Sequence, residues 1–205
     1  MKKQFIIAGI STEIGKTLIS SILVEALKAD YWKPVQSGGL DFTDTDAVKS
    51  NISNSESFFY PETYRLNEPL SPHAAAEIDG IRIDLDQFQL PVLDKNLIVE
   101  LAGGVMVPLN EKETNLDLMR KLNLPVIVVS KNYLGSINHT LLTVEILKNA
   151  GIPIKGLIFN GQRNEASETF ILNYTKAALL GRVEFEENIN KELVRKYAEQ
   201  FRKAF

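Results

Sequence analysis

Residues 9–17 read Gly9-Ile10-Ser11-Thr12-Glu13-Ile14-Gly15-Lys16-Thr17, and this stretch decides the fold. It follows the apolar run Gln4 to Gly9, which predicts a buried strand, and it leads into Thr17 to Lys28, whose apolar spacing predicts a helix. A glycine-bounded loop between strand and helix that ends in Gly-Lys-Thr predicts a phosphate-binding loop, in which backbone N–H groups, a lysine and a hydroxyl face the phosphates. The loop has five residues between its glycines, where the usual motif has four. A chance Gly-Lys-Thr at a helix start is the alternative, but the order of strand, glycines, lysine and helix favours nucleotide binding.

The rest of the chain alternates short apolar runs with helix-period segments, which is the pattern of β-α-β units on a parallel sheet. The further predicted strands are Tyr31 to Val35, Asn96 to Leu101, Pro125 to Lys131, Ile154 to Asn160 and Leu180 to Phe185. The further predicted helices are Asp44 to Ser50, Leu116 to Leu122, Ile137 to Ala150, Glu168 to Lys176 and a C-terminal amphipathic helix carrying Leu193, Tyr197 and Phe201. With no internal repeat or linker in sight, we predict one α/β domain over residues 1–205 with a P-loop NTPase fold, a mostly parallel sheet with helices on both faces.

Composition excludes several classes of protein. The 205 residues include 23 Lys and Arg against 26 Asp and Glu, and they carry no basic block of the kind that binds nucleic acid. No cysteine and only two histidines are present, which excludes disulfides, thiolate catalysis and Cys-ligated or histidine-rich metal centres. No apolar run approaches the ~18 to 20 residues that span a bilayer, and no export signal is visible. We therefore expect a cytoplasmic protein whose ligands are small molecules, with neither nucleic acid nor a membrane as partner.

Two carboxylates are candidates to complete a magnesium site with Thr17, since Mg²⁺ prefers oxygen ligands. Asp46 starts a predicted helix, where an acid is also explained as a cap or a first-turn residue, but Asp44 is the better cap candidate. Glu100 ends an apolar strand and, if buried, needs a cationic partner such as Mg²⁺ or Lys16. The sequence thus predicts Thr17, Asp46 and Glu100 as metal ligands.

Three further positions follow strands at the edge where ligands of such sheets bind. Lys33 ends the second strand and is either a solvated surface lysine or a fixed cation that stabilises a transferring phosphoryl group. Ser136 and Asn138 open a helix, so that Ser136 is either an ordinary N-cap or part of a helix start that holds a carboxylate. Asn160 is either a turn residue before Gly161 or a reader of the adenine edge.

Taken together, these motifs resemble one family, the dethiobiotin synthetases. The family's long Gly-x-x-Thr-Glu-x-Gly-Lys-Thr loop is present at residues 9–17, and its Tyr-Lys-Pro-x-x-Ser-Gly strand end is similar to residues 32–38, with Trp32 for the tyrosine. Its Ser-Asp-Ala is echoed by residues 45–47, and its Glu-Pro-x-Ser-Pro-His stands unaltered at residues 68–73. Its Leu-Gly-x-Ile-Asn-His resembles residues 134–139, so the matched segments follow the family's order along most of the chain.

The resemblance implies an ATP- and Mg²⁺-dependent ligase of biotin biosynthesis, with ATP as co-substrate. In its reaction 7,8-diaminononanoate captures CO₂ as a carbamate, ATP phosphorylates the carbamate to a carbamic-phosphoric anhydride, and the second amine closes the cyclic urea of dethiobiotin. Lys16 and Lys33 would be the catalytic residues. The family also implies a homodimer with its sites at the interface.

The resemblance also implies which residues contact each ligand. The residues implied to bind nucleotide are Glu13, Ile14, Gly15, Lys16, Thr17, Leu18, Asp46, Glu100, Asn160 and Gly161. Those implied to bind the diamine substrate are Thr12 and Ser37 at its head, and Gly135, Ser136, Ile137 and Asn138, which would hold the substrate carboxylate in the neighbouring protomer's site.

Three departures from the family pattern stand out. Leu101 takes the first glycine position of Glu-Gly-Ala-Gly-Gly, and Gly161 follows Asn160 where an aspartate is common. A proline expected on the adenine side is missing near residues 184–186. The last two bear on adenine selectivity and leave the metal and phosphate groups unaffected.

Three other kinds of P-loop protein compete with this interpretation. A dimeric ATPase switch of the chromosome-partitioning type carries an extra lysine early in the loop, where this chain has Ser11. Corrin amidotransferases carry a glutaminase domain with a nucleophilic cysteine, and this sequence has no cysteine. A small-molecule kinase is expected to bring an arginine-rich lid, whereas the arginines here are scattered.

Overall fold

The structure is a computed structural model that describes residues 2–91 and 94–205. Its strands are β1 (Gln4–Gly9), β2 (Asp30–Trp32), β3 (Val35–Ser37), β4 (Phe59–Tyr60), β5 (Tyr64–Leu66), β6 (Leu97–Gly104), β7 (Val126–Lys131), β8 (Ile154–Asn160) and β9 (Leu179–Val183). Its helices are α1 (Lys16–Leu27), α2 (Asp44–Asn51), α3 (Pro72–Ile78), α4 (Asn115–Leu122), α5 (Ser136–Asn149), α6 (Glu165–Thr175) and α7 (Lys191–Phe201), with 3₁₀ turns at Leu85–Gln87 and Arg202–Ala204.

Within the described residues, one sheet takes seven of these strands in the spatial order β4-β2-β6-β1-β7-β8-β9. Every pair of neighbours in it is parallel. In this order β2 lies on one side of β1, whereas the later strands β7, β8 and β9 lie on its other side. Because parallel crossovers are right-handed, connections that move in opposite directions place their helices on opposite faces of the sheet. The fold is the predicted single α/β P-loop domain.

Strand β1 lies at the centre of the core, between β6 and β7. Ile6, Ile7 and Ala8 are fully buried, as expected of a parallel strand covered on both faces. Helix α1 follows it and is buried along nearly its whole length, because it packs on the sheet and also beneath α2 and α7. The loop between β1 and α1 therefore joins two buried elements of the core, at the carboxyl edge of the sheet.

The predicted strands at residues 4–9, 96–101, 125–131, 154–160 and 180–185 are all present, with ends shifted by a few residues. The predicted helices are present too, and α7 buries its Tyr197 and Phe201 stripe as expected. In the part of the chain that the structure describes, each helix is too short or too polar to cross a membrane.

One strand prediction was wrong. Residues 31–35 do not form a single strand, since β2 ends at Trp32 and β3 begins at Val35 in a separate two-stranded sheet with β5. Pro34 has no N–H to donate to a ladder, so it interrupts the strand. Its carbonyl instead accepts hydrogen bonds from the backbone of Thr63 and Tyr64. The break leaves Lys33 between the two sheets.

The segment between α2 and β6 holds elements that the sequence did not predict, namely β4, β5 and α3. Strands of two or three residues are too short to show an alternating pattern. Helix α3 did leave a signal, since Ser71 is its N-cap and Pro72 its first residue, a common start for a helix. This segment forms one wall of the site described next.

Candidate active site

A cleft of about 890 Å³ opens over the carboxyl edge of β1, β2 and β6. The phosphate loop, the end of β2, the start of α2 and the loop before α3 surround it. Its charged lining consists of Glu13, Lys16, Lys33, Asp44 and Glu100. Residues far apart in the sequence thus meet at the edge where parallel sheets bind their ligands.

Glycine is required at position 15 of the phosphate loop. Gly15 has a φ of 90° and is the N-cap of α1, a backbone conformation that side chains disfavour. A Cβ atom at this position would lie 2.1 Å from Nδ2 of Asn160. That amide nitrogen donates a 2.8 Å hydrogen bond to the carbonyl of Ile14, so the end of β8 supports the loop from below. Asn160 therefore has a structural role that neither alternative from the sequence included.

Lys16 is buried beneath the loop, and its Nζ donates to the carbonyl of Ser11 at 3.3 Å. Burial is the main cause that lowers the pKa of this ammonium, with Lys33 acting in the same direction and Glu100 and Asp44 opposing it. A partly desolvated lysine held by one carbonyl is ready to exchange that contact for phosphate oxygens.

Three oxygen-bearing side chains converge at the start of α1. The Thr17 hydroxyl lies 2.8 Å from Oδ1 of Asp44 and 3.0 Å from Oε1 of Glu100. A hydroxyl has one proton, so it cannot donate fully to both carboxylates. Both distances are those of ordinary hydrogen bonds, and it is the meeting of a hydroxyl with two carboxylates at one point that suits a cation preferring oxygen, such as Mg²⁺.

The same donor set also fits Mg²⁺ by its chemistry. Two carboxylates and a hydroxyl leave positions for phosphate oxygens and water, which is how Mg²⁺ binds beside nucleotides. Within the described residues, no group of three or more His, Cys, Asp or Glu side chains is placed to hold a metal without such help. The residues present therefore fit a nucleotide-bound magnesium ion.

The prediction that Asp44 caps the helix was wrong, and with it falls the reason for choosing Asp46 over Asp44 as the metal ligand. Thr43 is the N-cap of α2, and it forms a capping box with Asp46. The Asp46 carboxylate accepts hydrogen bonds from the backbone N–H and the hydroxyl of Thr43, at 2.9 and 2.8 Å. Asp46 is exposed and committed to the helix start, whereas Asp44 reaches Thr17.

Lys33 is a buried cation between two acids, which rules out the surface alternative. Only 3% of the residue is exposed, and its Nζ lies 2.5 Å from Oδ2 of Asp44 and 3.3 Å from Oε1 of Glu100. Burial opposes the charge on Lys33, but Glu100 and Asp44 outweigh it and raise the pKa of the ammonium. Burial likewise opposes ionisation of Asp44, yet Lys33, the Thr17 hydrogen bond and Lys16 together lower the pKa of that carboxyl. Lys33 and Asp44 therefore remain charged at neutral pH.

The far wall of the cleft is formed by Ser37 and by the loop of Pro69, Leu70 and Ser71. Sequence reasoning assigned Ser37 to the substrate but gave no role to this loop. Gly38 lets the loop pack closely, because a Cβ there would lie 2.6 Å from Cα of Pro69. The Ser37 hydroxyl is buried and has no hydrogen-bond partner within the described residues.

Thr12 belongs to this cleft and to a second one of about 770 Å³, which runs between the 103–108 loop and α5. Residues 135–138, predicted to hold the substrate carboxylate, line neither. Gly135, with a φ of 100°, is the N-cap of α5, so Ser136 is not the cap. The backbone N–H of Tyr133 instead donates to the Ser136 hydroxyl at 3.2 Å. In one chain this helix start thus lies apart from the nucleotide cleft.

The predicted adenine side is held by an ion-pair network. Arg182 donates to the carbonyl of Gly161 at 2.8 Å and forms ion pairs with Glu168 and Glu184. Near residues 184–186, where the family has a proline, this chain has side-chain contacts instead. There Glu186 accepts a hydrogen bond from the Tyr197 hydroxyl at 2.6 Å. The loop after β8 is therefore fixed by side chains from β9 and α6.

The other departure, Leu101, points away from the cleft. It follows Glu100 in β6, so its side chain faces the opposite side of the sheet, where it is buried in the core. The cleft is lined at this level by Glu100, Ala102 and Gly103. A leucine at this position leaves the nucleotide side of the strand unchanged.

Comparison with known proteins finds similarity to this chain in fold and in sequence. A family model described as an AAA domain matches residues 3–193. The solved structure of the cell division ATPase MinD from Pyrococcus furiosus has a TM-score of 0.60 at 14% identity and covers 100% of both chains. A ParA family ATPase from Chlorobium tepidum gives a TM-score of 0.54 at 12% identity, over 97% of this chain and 98% of the other. At such low identity these structures show the fold alone.

Relatives in sequence are much closer. The chain is 50% identical over 203 residues to the ATP-dependent dethiobiotin synthetase BioD of Christiangramia forsetii, covering 99% of this chain and 98% of the relative. It is 51% identical over 199 residues to the protein of the same name from Cytophaga hutchinsonii, covering 97% and 96%. The phosphate loop and the paired acids and lysines of the cleft lie within these matches. The chain therefore belongs to the ATP-dependent dethiobiotin synthetase family.

Proposed function

We propose that this ATP-dependent ligase carboxylates 7,8-diaminononanoate with CO₂ and closes the product to dethiobiotin, releasing ADP and phosphate. The observation that carries the proposal is the position of Lys33, buried against Asp44 and Glu100 in the same cleft as the phosphate loop. A nucleotide-binding site has no need of a second buried lysine at this place. Such a cation suits a reaction in which an anionic carbamate accepts the γ-phosphoryl group.

The reaction needs no nucleophilic side chain. One substrate amine attacks CO₂ to form a C–N bond and loses a proton, and a carbamate oxygen then attacks the γ-phosphorus, releasing ADP. The second amine attacks the carbonyl carbon of the mixed anhydride, expels phosphate and loses a proton to it or to water, which closes the five-membered cyclic urea. Two anions must approach each other in the middle step, so the fixed charges of Lys16 and Lys33 supply the main catalytic effect.

Thr17, Asp44 and Glu100 are the residues proposed to hold Mg²⁺, with Asp44 replacing the earlier choice of Asp46. When bound with ATP, the ion would neutralise charge on the β and γ phosphates. The backbone N–H groups of residues 13–18 are proposed to hold the phosphates, with Lys16 reaching the terminal ones. Asn160 and Gly161 are proposed to face the base, with the Asn160 amide already anchored to the loop.

Thr12 and Ser37 are proposed to bind the diamine head. The buried Ser37 hydroxyl, which has no hydrogen-bond partner among the described residues, supports a polar ligand there. Residues 135–138 are proposed to bind the substrate carboxylate of a neighbouring protomer, since helix N-terminal N–H groups favour anions. A homodimer of this kind is supported by the apolar side chains exposed around the second cleft. Leu134 is fully exposed, and Met106 and Leu142 are more than half exposed. We place the enzyme in the cytoplasm.

The alternative is a dimeric ATPase switch of the partitioning type, to which the fold is similar. Ser11 stands where that class carries its extra lysine, so the site favours the ligase.

The test is ADP release by the purified protein with Mg-ATP and bicarbonate, with and without 7,8-diaminononanoate. The ligase predicts release that depends on the diamine. Slow release that the diamine leaves unchanged would favour the switch.

A further inference from the structure

The Glu100 carboxylate has a hydrogen-bond donor that lies outside the cleft. Glu100 is fully buried, and its Oε1 faces Thr17 and Lys33 at 3.0 and 3.3 Å. Its other oxygen, Oε2, accepts a 3.0 Å hydrogen bond from the Tyr31 hydroxyl. One oxygen therefore faces the nucleotide side and the other is held by the core.

Tyr31 is built into the sheet in a way that fixes its hydroxyl. It lies in β2, two residues before Lys33, and pairs with Ile98 of the neighbouring strand β6, from which Glu100 projects. The ring is fully buried and packs against Phe59 with ring centroids 6.0 Å apart. The hydroxyl therefore has little freedom to leave Glu100.

The Tyr31 hydroxyl carries one proton, and it donates that proton to Oε2 of Glu100 at 3.0 Å. A neutral phenol is a poor ligand for Mg²⁺ compared with a carboxylate, so the tyrosine acts on the carboxylate rather than on the ion.

We propose that Tyr31 is a positioning residue that fixes Glu100 with Oε1 alone turned toward the divalent cation. This inference rests on the proposed magnesium site. Without the hydroxyl, Oε2 loses its partner in a buried environment, and the carboxylate can turn to share both oxygens with Lys33. Partners of this kind, one step behind a metal ligand, change metal affinity by about 10-fold to 100-fold when removed.

The test compares Tyr31→Phe with Tyr64→Phe, which also removes one hydroxyl but at a residue that does not line the cleft. The Tyr64 hydroxyl bonds only to the backbone of Asp84 among the described residues, accepting from its N–H at 3.0 Å and donating to its carbonyl at 3.5 Å. Mn²⁺ binding to the protein with saturating ADP is measured by electron paramagnetic resonance, together with ADP affinity in excess chelator. A third variant, Glu100→Gln, tests the metal site itself.

We expect Tyr31→Phe to weaken Mn²⁺ binding about 10-fold while metal-free ADP affinity stays unchanged. Tyr64→Phe is expected to leave both at the level of the unaltered protein. If Tyr31→Phe lowers only the melting temperature and leaves Mn²⁺ affinity intact while Glu100→Gln weakens it, the tyrosine is merely structural and the inference is wrong. If Glu100→Gln also leaves Mn²⁺ affinity intact, the proposed metal site itself is wrong.

Discussion

Replacing Lys33 with methionine keeps the aliphatic stem and removes the charge that lies between Asp44 and Glu100. Loss of one partner from a buried ion pair costs about 3 to 5 kcal/mol. The Asp44 side chain is 33% exposed, so water screens part of this loss, and we expect about 2 to 3 kcal/mol. At about 2 to 4 °C per kcal/mol for a chain of this length, the melting temperature should fall by about 5 to 10 °C.

The same change should lower turnover by about 100-fold or more, because a fixed cation at the transferring group is lost. Nucleotide affinity should be largely kept, since the phosphate loop is intact, whereas Lys16→Ala is expected to damage both affinity and turnover. The assays are calorimetric unfolding, ADP titration and diamine-dependent ADP release. Lys148→Met is the control. That lysine lies away from the cleft, where it pairs with Glu145 and donates to the carbonyl of Thr175, so its loss should change stability by about 1 kcal/mol and leave turnover unchanged. Full turnover and an unchanged melting temperature in Lys33→Met would refute the reasoning.

Three further predictions concern the helix start and the loop. Asp46→Ala should cost about 1 kcal/mol of stability through the lost capping box and leave turnover unchanged. Asp44→Ala should lower turnover about 100-fold or more. Equal turnover in the two variants would contradict the assignment of Asp44 to the site. Because the Asp44 pKa is lowered on folding, its contribution to the free energy of unfolding is present near pH 6 and lost as the pH falls through that pKa. The free energy of unfolding, measured as a function of pH, should therefore differ between the unaltered protein and Asp44→Asn near pH 6, and this difference should vanish below about pH 4. A difference that does not change with pH would argue against the ion pair. Gly15→Ala should lower the free energy of unfolding by about 2 to 3 kcal/mol, because alanine disfavours the φ of 90° and its Cβ displaces the Asn160 amide. It should also weaken ADP binding, measured by titration calorimetry, at least about 10-fold. Unchanged binding would show that the loop tolerates a side chain.

Local patterns predicted the strand–loop–helix unit of residues 4–28 and five of the seven strands that form the main sheet in the described residues. The loop residues are contiguous, and the strand–loop–helix order around Lys16 is visible in the sequence. The exchange of Asp44 and Asp46 arose because two acids stand two residues apart in one helical turn, and either could be assigned to the cap. The signal that separates them was present, since Thr43 followed three residues later by an acid is the pattern of a capping box.

Burial and long-range pairing were beyond the sequence. Lys33 looks like an exposed strand end until β6 is placed beside β2, which brings Glu100 to its ammonium. Tyr31 was overlooked for the same reason, although the period of a strand places it on the same face as Lys33. Strands of two or three residues, such as those around Pro34 and Tyr64, depend on partners elsewhere in the chain and carry no pattern of their own.

The most direct test of the account is the mass of the product formed from 7,8-diaminononanoate, Mg-ATP and ¹³C-bicarbonate. The account predicts a cyclic urea that is heavier by one mass unit than the product from ordinary bicarbonate, formed in equal amount with ADP. ADP formed without any labelled product, at a rate that ignores the diamine, would contradict the proposed reaction.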